Sequence, residues 1–337
     1  MNVLGWDIGG ANLKASNGTT KSVEASFPLW KQPEELTAAI GELAGEFDAA
    51  DLWVITMTGE LADCFASKRE GVDRILNAAR EASHGIPILV WTTAGEFVPV
   101  DEAMDWPLLT AASNWLALAT WAGRMVPEGN ALVVDTGSTT TDIIPLLNGF
   151  PDPQGRTDVD RLQSGELVYT GWKRTPLAAI AAEVTFRGRR TPLAAELFAT
   201  TWDIHLLTGA VPPSSDGDTA NGRPAGIDEA WDRLSRMLCC DRDEMTLDEA
   251  RVIAGELADR QTAQIARSID EVVGRMQGPC PTVIVSGSGA FLARWAVSSS
   301  VRGAAAEIHS LNAMLGDRHA TAACAFALAR LAAERIQ

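Results

Sequence analysis

The sequence predicts an α/β protein built from two similar halves that face each other across a cleft. Three observations predict it. A strand, an aspartate–glycine turn and a second strand occur once near the start and again near the middle of the chain. Between them, candidate strands alternate with candidate helices, the pattern of parallel strands under helical layers. The 337 residues, 46% hydrophobic, suffice for a large core and suggest two domains.

The first strand, Val3 to Trp6, runs into Asp7-Ile8-Gly9-Gly10-Ala11-Asn12. A second extended segment follows, and Asn17-Gly18 marks a hairpin turn after it. In a dinucleotide-binding or Walker-type fold a helix would begin at the glycines, so a strand in that place argues against both. A helix is then expected over Pro33 to Phe47, a strand over Leu52 to Met57, a helix near Val72 to Ser83, a strand over Ile88 to Trp91 and a helix over Pro107 to Met125. The opening pattern repeats as strand Ala131 to Val134, the turn Asp135-Thr136-Gly137-Ser138-Thr139-Thr140-Thr141-Asp142 and an apolar strand. Thr175 to Met276 reads as mostly helical, broken by a polar loop at Val211 to Asp218 and closing on a long helix from Leu247. A late strand, Thr282 to Val285, ends in Ser286-Gly287-Ser288-Gly289, and the alanine-rich stretch from His319 to Ile336 is a final helix.

The two aspartate–glycine turns carry the chemistry. Glycine brings backbone N–H groups close to phosphate oxygens, while a carboxylate at the strand end can hold a hydrated Mg2+. Asp7 and Asp135 are the candidate metal carboxylates. Gly9, Gly10, Ala11 and Asn12 in one turn, with Gly137, Ser138, Thr139 and Thr140 in the other, are the candidate phosphate cradle. The competing account of each aspartate is an ordinary turn or cap. A net charge of -16 disfavours nucleic acid and anionic membrane as partners and makes a divalent cation the natural companion of a polyphosphate ligand. Five cysteines without a Cys-x-x-Cys pair, and four histidines, point away from zinc and disulfides and toward a reducing cytoplasm. Cys239 and Cys240 are expected as buried helix residues. No signal peptide or membrane span is read at the start.

Three motifs in order, the Asp7 hairpin, the Asp135 hairpin and the late strand with Ser286 to Gly289, resemble the two phosphate motifs and the adenosine motif of the actin, Hsp70 and sugar-kinase superfamily. The resemblance implies a two-domain actin-like ATPase fold, a duplicated ribonuclease H-like unit with an inter-domain cleft. Residues 1–128 with 318–337 would form one domain, and 129–317 the other, with a helical insertion at about 175–276. A narrower likeness lies in Met57 to Asp63, Arg69 to Val72, Thr93 to Phe97, Ala112 to Trp115, and Gly165 to Gly171 with Arg174 to Pro176. These resemble small hydantoinase/oxoprolinase-like proteins of tetrahydromethanopterin-linked one-carbon metabolism.

That family resemblance implies a transferase joining an aminomethyl-furan-methanol diphosphate to the phenol of γ-glutamyltyramine, with release of pyrophosphate. Its partners are a small-molecule diphosphate and a phenolic amine. Mg2+ is the implied cofactor, and ATP fits the fold without being required. On this reading Lys14 or Arg174 neutralises the leaving group, and Asp142 is either a further metal carboxylate or a hairpin surface residue. Asn114 and Arg174, with Glu60 and Tyr169 behind them, are candidate substrate contacts, against the alternative of caps and turn bonds. Ser286, Gly287, Ser288 and Gly289 leave room for an adenine or for an aromatic ring in its place. Of eleven tryptophans most are expected in the core, and Trp172, beside Arg174, is the candidate ring contact. An ATP-dependent kinase, a hydantoinase or oxoprolinase-type hydrolase and a non-catalytic nucleotide sensor are the rival readings. Ala111 to Trp115 offers no acid for a kinase base.

Overall fold

The computed structural model describes residues 1–336. Its first sheet has the order β3-β2-β1-β4-β5-β6, built from β1 (Val3–Ile8), β2 (Asn12–Ser16), β3 (Ser22–Ser26), β4 (Leu52–Met57), β5 (Ile88–Trp91) and β6 (Phe97–Pro99). β1 pairs antiparallel with β2 and parallel with β4, and β4 parallel with β5. The second sheet repeats the plan: β7 (Asn130–Thr136) is antiparallel to β8 (Thr141–Leu147) and parallel to β13 (Thr282–Ser286), which is parallel to β14 (Glu307–Ser310). The short β9 (Phe150–Pro151) and β10 (Leu167–Val168) both flank β8. This is a ribonuclease H-like unit used twice, the α/β architecture expected.

Helices cover each sheet. α1 (Leu36–Ala44), α2 (Lys68–Ala82) and α3 (Val100–Asp105) lie on the outer face of the first sheet, in a core with Trp6, Ile8, Ile55 and Ile75. Because central strands are covered on both sides, β1 and β4 are buried along their whole length rather than at alternate residues. The short α4 (Pro107–Thr110) leads into α5 (Asn114–Ala122). Further on come α6 (Asp158–Ser164), α7 (Leu177–Ile180), the hairpin β11 (Glu183–Phe186) and β12 (Arg189–Pro192), α8 (Thr201–Leu207), α9 (Ile227–Arg236) and the long α10 (Leu247–Arg275). α11 (Ala290–Ser299) packs with α10 on the outer face of the second sheet around Leu132, Ile265 and Val285. The elements from α7 to the first half of α10 share a separate core, with Leu177, Trp202, Leu234 and Leu257.

The chain closes with α12 (Leu311–Leu315), α13 (Asp317–Thr321) and α14 (Ala323–Arg335). α5 and α14 fill the seam between the sheets, since one core joins Val3 and Val54 of the first sheet, Trp115, Leu118 and Leu328 of the two helices, and Val133, Ile144 and Ile284 of the second sheet. Alanines let α14 lie directly on β1. A Cβ on Gly5 would come within 2.9 Å of the Ala329 nitrogen, so the strand must be bare there.

Three local expectations are corrected. The helix expected over Pro107 to Met125 is broken at Ala111–Ser113, where Ala112 adopts φ 47 and Ser113 Oγ bonds to Trp91 O at 2.9 Å and to Thr110 O at 3.2 Å. Residues 183–192, expected within a mostly helical stretch, form a β-hairpin turning on Arg187 and Gly188, both at positive φ. Cys239 and Cys240 lie beyond α9 in a turn, with Cys239 exposed at φ 57.

Candidate active site

Both aspartates stand where a central strand ends and reverses. Gly9 N donates to Asn12 O at 3.0 Å in the first hairpin, and Gly137 N to Thr140 O at 2.9 Å in the second. The carbonyls of Gly10 and Ala11 accept from Leu29 N and Phe27 N, both at 2.9 Å. Among the described residues the N–H groups of Gly10, Ala11, Ser138, Thr139 and Thr140 donate to no protein acceptor. Rows of unspent amides of this kind make an anion-binding concavity.

Strand register sets the neighbours of each carboxylate. Asp7 is flanked by Lys14 on β2 and Thr56 on β4; Asp135 by Asp142 on β8 and Ser286 on β13. Asp7 Oδ1, Asp135 Oδ1 and Ser286 Oγ are buried and lack a hydrogen-bond partner. Burial is the main reason that Asp7 is pushed up to about 6, with Lys14 opposing and Glu24 and Asp142 reinforcing. Asp135 is likewise pushed up to about 6, by burial and then Asp142, against Ser286 and Lys14. The Ser286 hydroxyl thus faces Asp135 while falling short of hydrogen-bond geometry. Each aspartate feels charged groups of the opposite half, so the two hairpins share one electrostatic site.

Two carboxylates with orphaned buried oxygens fit a hydrated cation. No cluster of three or more His, Cys, Asp or Glu suited to direct coordination occurs among the described residues. Lys14 lies 3.7 Å from Glu24, and burial, which lowers its pKa, is outweighed by Glu24, Asp7 and Asp135, which raise it. Asp142 is otherwise engaged. Its Oδ1 takes Arg161 Nη2 at 2.7 Å, and the Arg161 guanidinium lies 4.0 Å from the Trp115 ring centroid. All three side chains are buried, so Asp142 has an internal partner rather than a free carboxylate for a metal.

A third loop completes the site. Trp172 N donates to Gly137 O at 3.2 Å, and the amides of Lys173 and Arg174 donate to Ser138 O at 3.1 and 2.9 Å. The approach depends on Gly171, because a Cβ there would meet Gly137 O, Ser138 C and Thr139 N, each at 2.5 Å. Arg174 reaches the half of the molecule built on the first sheet, with its guanidinium 4.9 Å from the Trp30 ring, and pairs with Asp218 at 3.3 Å. Lys173, missed in the sequence, pairs with Asp216 at 3.0 Å and Asp218 at 3.1 Å and lies 4.2 Å over Trp202. Its signal was adjacency to Trp172 and Arg174.

The Ser286–Gly289 turn rests on the end of β7, with Gly289 N donating to Thr136 O at 2.8 Å. Gly287, at φ 89, could not carry a side chain, since a Cβ would lie 2.8 Å from Asp135 Oδ1. Trp172 covers this turn: its indole N–H donates to Ser288 Oγ at 2.9 Å, and a Cβ on Gly289 would meet its Cδ1 at 2.9 Å. Trp202 and Phe291 hold the indole edge-on at 5.9 and 6.5 Å. Asn114 opens α5 beside Ser113, whose hydroxyl lies 2.9 Å from Thr56 Oγ1, so it stands near the Asp7 strand. Tyr169 is exposed, and no described contact ties it to the clamp.

Comparison with known proteins gives this geometry relatives. A synthase of Methanocaldococcus jannaschii that makes (4-{4-[2-(gamma-L-glutamylamino)ethyl]phenoxymethyl}furan-2-yl)methanamine is 35% identical over 291 residues, spanning 85% of this chain and 86% of that protein. The same-named synthase of Methanococcus vannielii is 38% identical over 130 residues, 38% of this chain and 58% of that protein. An archaeal actin homolog solved with ADP overlays 99% of this chain and 100% of its own at a TM-score of 0.45 and 15% identity. The hydantoinase/oxoprolinase family model matches residues 51–335. That span runs from β4 to the last helix, and the chain belongs to the hydantoinase/oxoprolinase family.

Proposed function

We propose that this protein is a transferase that joins an aminomethyl-furan-methanol diphosphate to the phenol of γ-glutamyltyramine, forming an aryl ether and releasing pyrophosphate. The match to the archaeal synthase along most of both chains is the observation that carries the reading. The chemistry of the site supports it. Departure of pyrophosphate from a furfuryl carbon builds negative charge on the leaving oxygens, while the electron-rich furan stabilises positive charge on carbon. Amides fixed in advance around that charge lower the barrier without reorganising.

Asp7 and Asp135 would hold a hydrated Mg2+, which offsets diphosphate charge in a protein of net charge -16. The free amides of the two hairpins would cradle the phosphates, and Lys14 and Arg174 would balance the leaving group. Trp172, seated on Gly289 where a base attached to the diphosphate would extend, supports a role for an aromatic side chain in place of a bound adenosine. In this reading ATP is not consumed. The product would serve tetrahydromethanopterin-linked one-carbon metabolism, in a cytoplasm that keeps the five unpaired thiols reduced.

Incubation with the furfuryl diphosphate, γ-glutamyltyramine and Mg2+, without nucleotide, should give pyrophosphate and the ether in equal amounts. An unconsumed diphosphate overturns the reading. Formation of ADP only when ATP is added would favour a kinase or hydrolase, and tight nucleotide binding without turnover a sensor.

A further inference from the structure

Granted the transferase reading, on which a proton-accepting role at this site rests, some group beside the clamp must take the proton of the attacking phenol. Asp7 and Asp135 are committed to the metal on that reading, and Asp142 to Arg161. Another buried carboxyl adjoins the first hairpin. Gly59 and Thr58 donate to Ile8 O at 3.1 and 3.0 Å, and a Cβ on Gly59 would meet the carbonyl of Gly9 at 3.2 Å. Glu60 therefore stands one residue from the phosphate turn. Its backbone is gripped from the other side by Gly71 of α2, where a Cβ would lie 2.6 Å from Glu60 Cα.

The Glu60 side chain is 2% exposed, and its Oε2 has no hydrogen-bond partner. The buried Asp203, by contrast, is paired with Arg233 at 2.7 Å. An unpaired buried carboxyl costs stability, so its presence beside the clamp calls for a use. The charged groups facing it are Lys68 on α2 and Asp158 on α6, with opposite effects on its ionisation. These two form an ion pair at 3.1 Å that joins the two halves of the molecule. The N–H groups of Glu60 itself and of Ala112, a residue held at φ 47, also face the carboxylate. Burial dominates and pushes its pKa up to about 7, where a carboxyl both accepts and releases protons at neutral pH.

We propose that Glu60 is the general base of the transfer. Its carboxylate takes the phenol proton as the phenolic oxygen bonds to the furfuryl methylene carbon; the bond from that carbon to the diphosphate breaks, and its electron pair leaves with pyrophosphate. On this proposal the phenol reaches Glu60 past the Lys68–Asp158 bridge, the ion pair that spans the seam beside it.

The test compares wild type, Glu60→Gln and Glu60→Asp by pyrophosphate release across pH. Two acceptors are used: γ-glutamyltyramine and a ring-fluorinated analogue with a more acidic phenol. Wild-type kcat/KM for the acceptor should rise through a limb near pH 7. Glu60→Gln should lose that limb and fall about 10²–10⁴-fold, keep its affinity for the diphosphate with Mg2+, and recover in part with the fluorinated acceptor. Glu60→Asp should keep the limb at reduced kcat, and it carries the test if the Gln variant does not fold. A Gln variant that retains the limb, or loses equal activity with both acceptors, overturns the role of Glu60 while the transferase reading stands. A wild type that leaves the diphosphate unconsumed overturns both.

Discussion

Asp7 and Asp135 each hold one buried carboxylate oxygen with nothing to bond it, and this has opposite consequences for stability and for turnover. Replacing either by Asn should lower pyrophosphate release by about 10²–10³-fold, as when a preorganised electrostatic contact is removed. Metal-free thermal stability at pH 7.5 should hold or rise, because a disfavoured charge is gone; a variant with undiminished turnover contradicts the metal role. Asp142 should behave otherwise. Asp142→Asn strips the buried Arg161 of its counter-charge, a change that costs about 3–5 kcal/mol when a buried pair is broken, and should lower the unfolding midpoint while Mg2+ affinity, read by calorimetry, stays unchanged. A loss of Mg2+ affinity with intact stability would return Asp142 to the metal. The two clamp aspartates were legible in the sequence because each follows an apolar strand and precedes glycine. Arg161 was not, since nothing in Asp158–Ser164 announces that one arginine turns inward onto Trp115, and so Asp142 appeared free.

The 171–174 loop works as a unit through its backbone. A methyl group at Gly171 must push it off the Gly137–Thr139 turn, so Gly171→Ala should raise KM for the diphosphate several-fold while leaving the acceptor's KM nearly unchanged. Equal effects on both would argue against a phosphate-side role. Within the same loop, Trp172→Ala uncovers the Ser286–Gly289 turn. Wild type should bind pyrophosphate with Mg2+ in clear preference to ADP with Mg2+, and the variant should narrow that preference, measured by titration calorimetry. At this scale strand positions were the most readable feature, because apolar runs such as Leu52–Met57 admit few other placements. The break before Asn114 and the 183–192 hairpin were hidden because side-chain bonding by Ser113 and a left-handed Arg187 override local preference.

Across the whole molecule, the shared seam core of α5 and α14 makes the two halves interdependent, so heating should produce one cooperative transition by calorimetry rather than two. Asp7, Asp135 and Glu60, three of the carboxyls that burial raises, also set a pH trend. Asp7 and Asp135 near 6 and Glu60 near 7 bind protons in the folded state that the unfolded chain has already lost. Stability of the metal-free protein should therefore fall as pH rises from about 4 through 7. Mg2+ should remove the part due to the two aspartates, and a midpoint that rises over this interval without metal would contradict their burial. The duplicated architecture was foreshadowed by the paired aspartate hairpins, but the seam itself was not, because the apolar faces of α5 and α14 do not say which sheet each will meet.

The copied strand plan has one inversion. Opposite the first aspartate the neighbouring strand supplies Lys14, and opposite the second the same rung supplies Asp142, whose charge Arg161 cancels from within. A symmetrical scaffold thereby acquires a polar axis: one lip sets a lysine, shared with Glu24, beside its aspartate, and the other sets a carboxylate there, backed by Arg161. A molecule carrying its anionic end first is aligned before any chemistry begins, and the departing anion is drawn toward a single side.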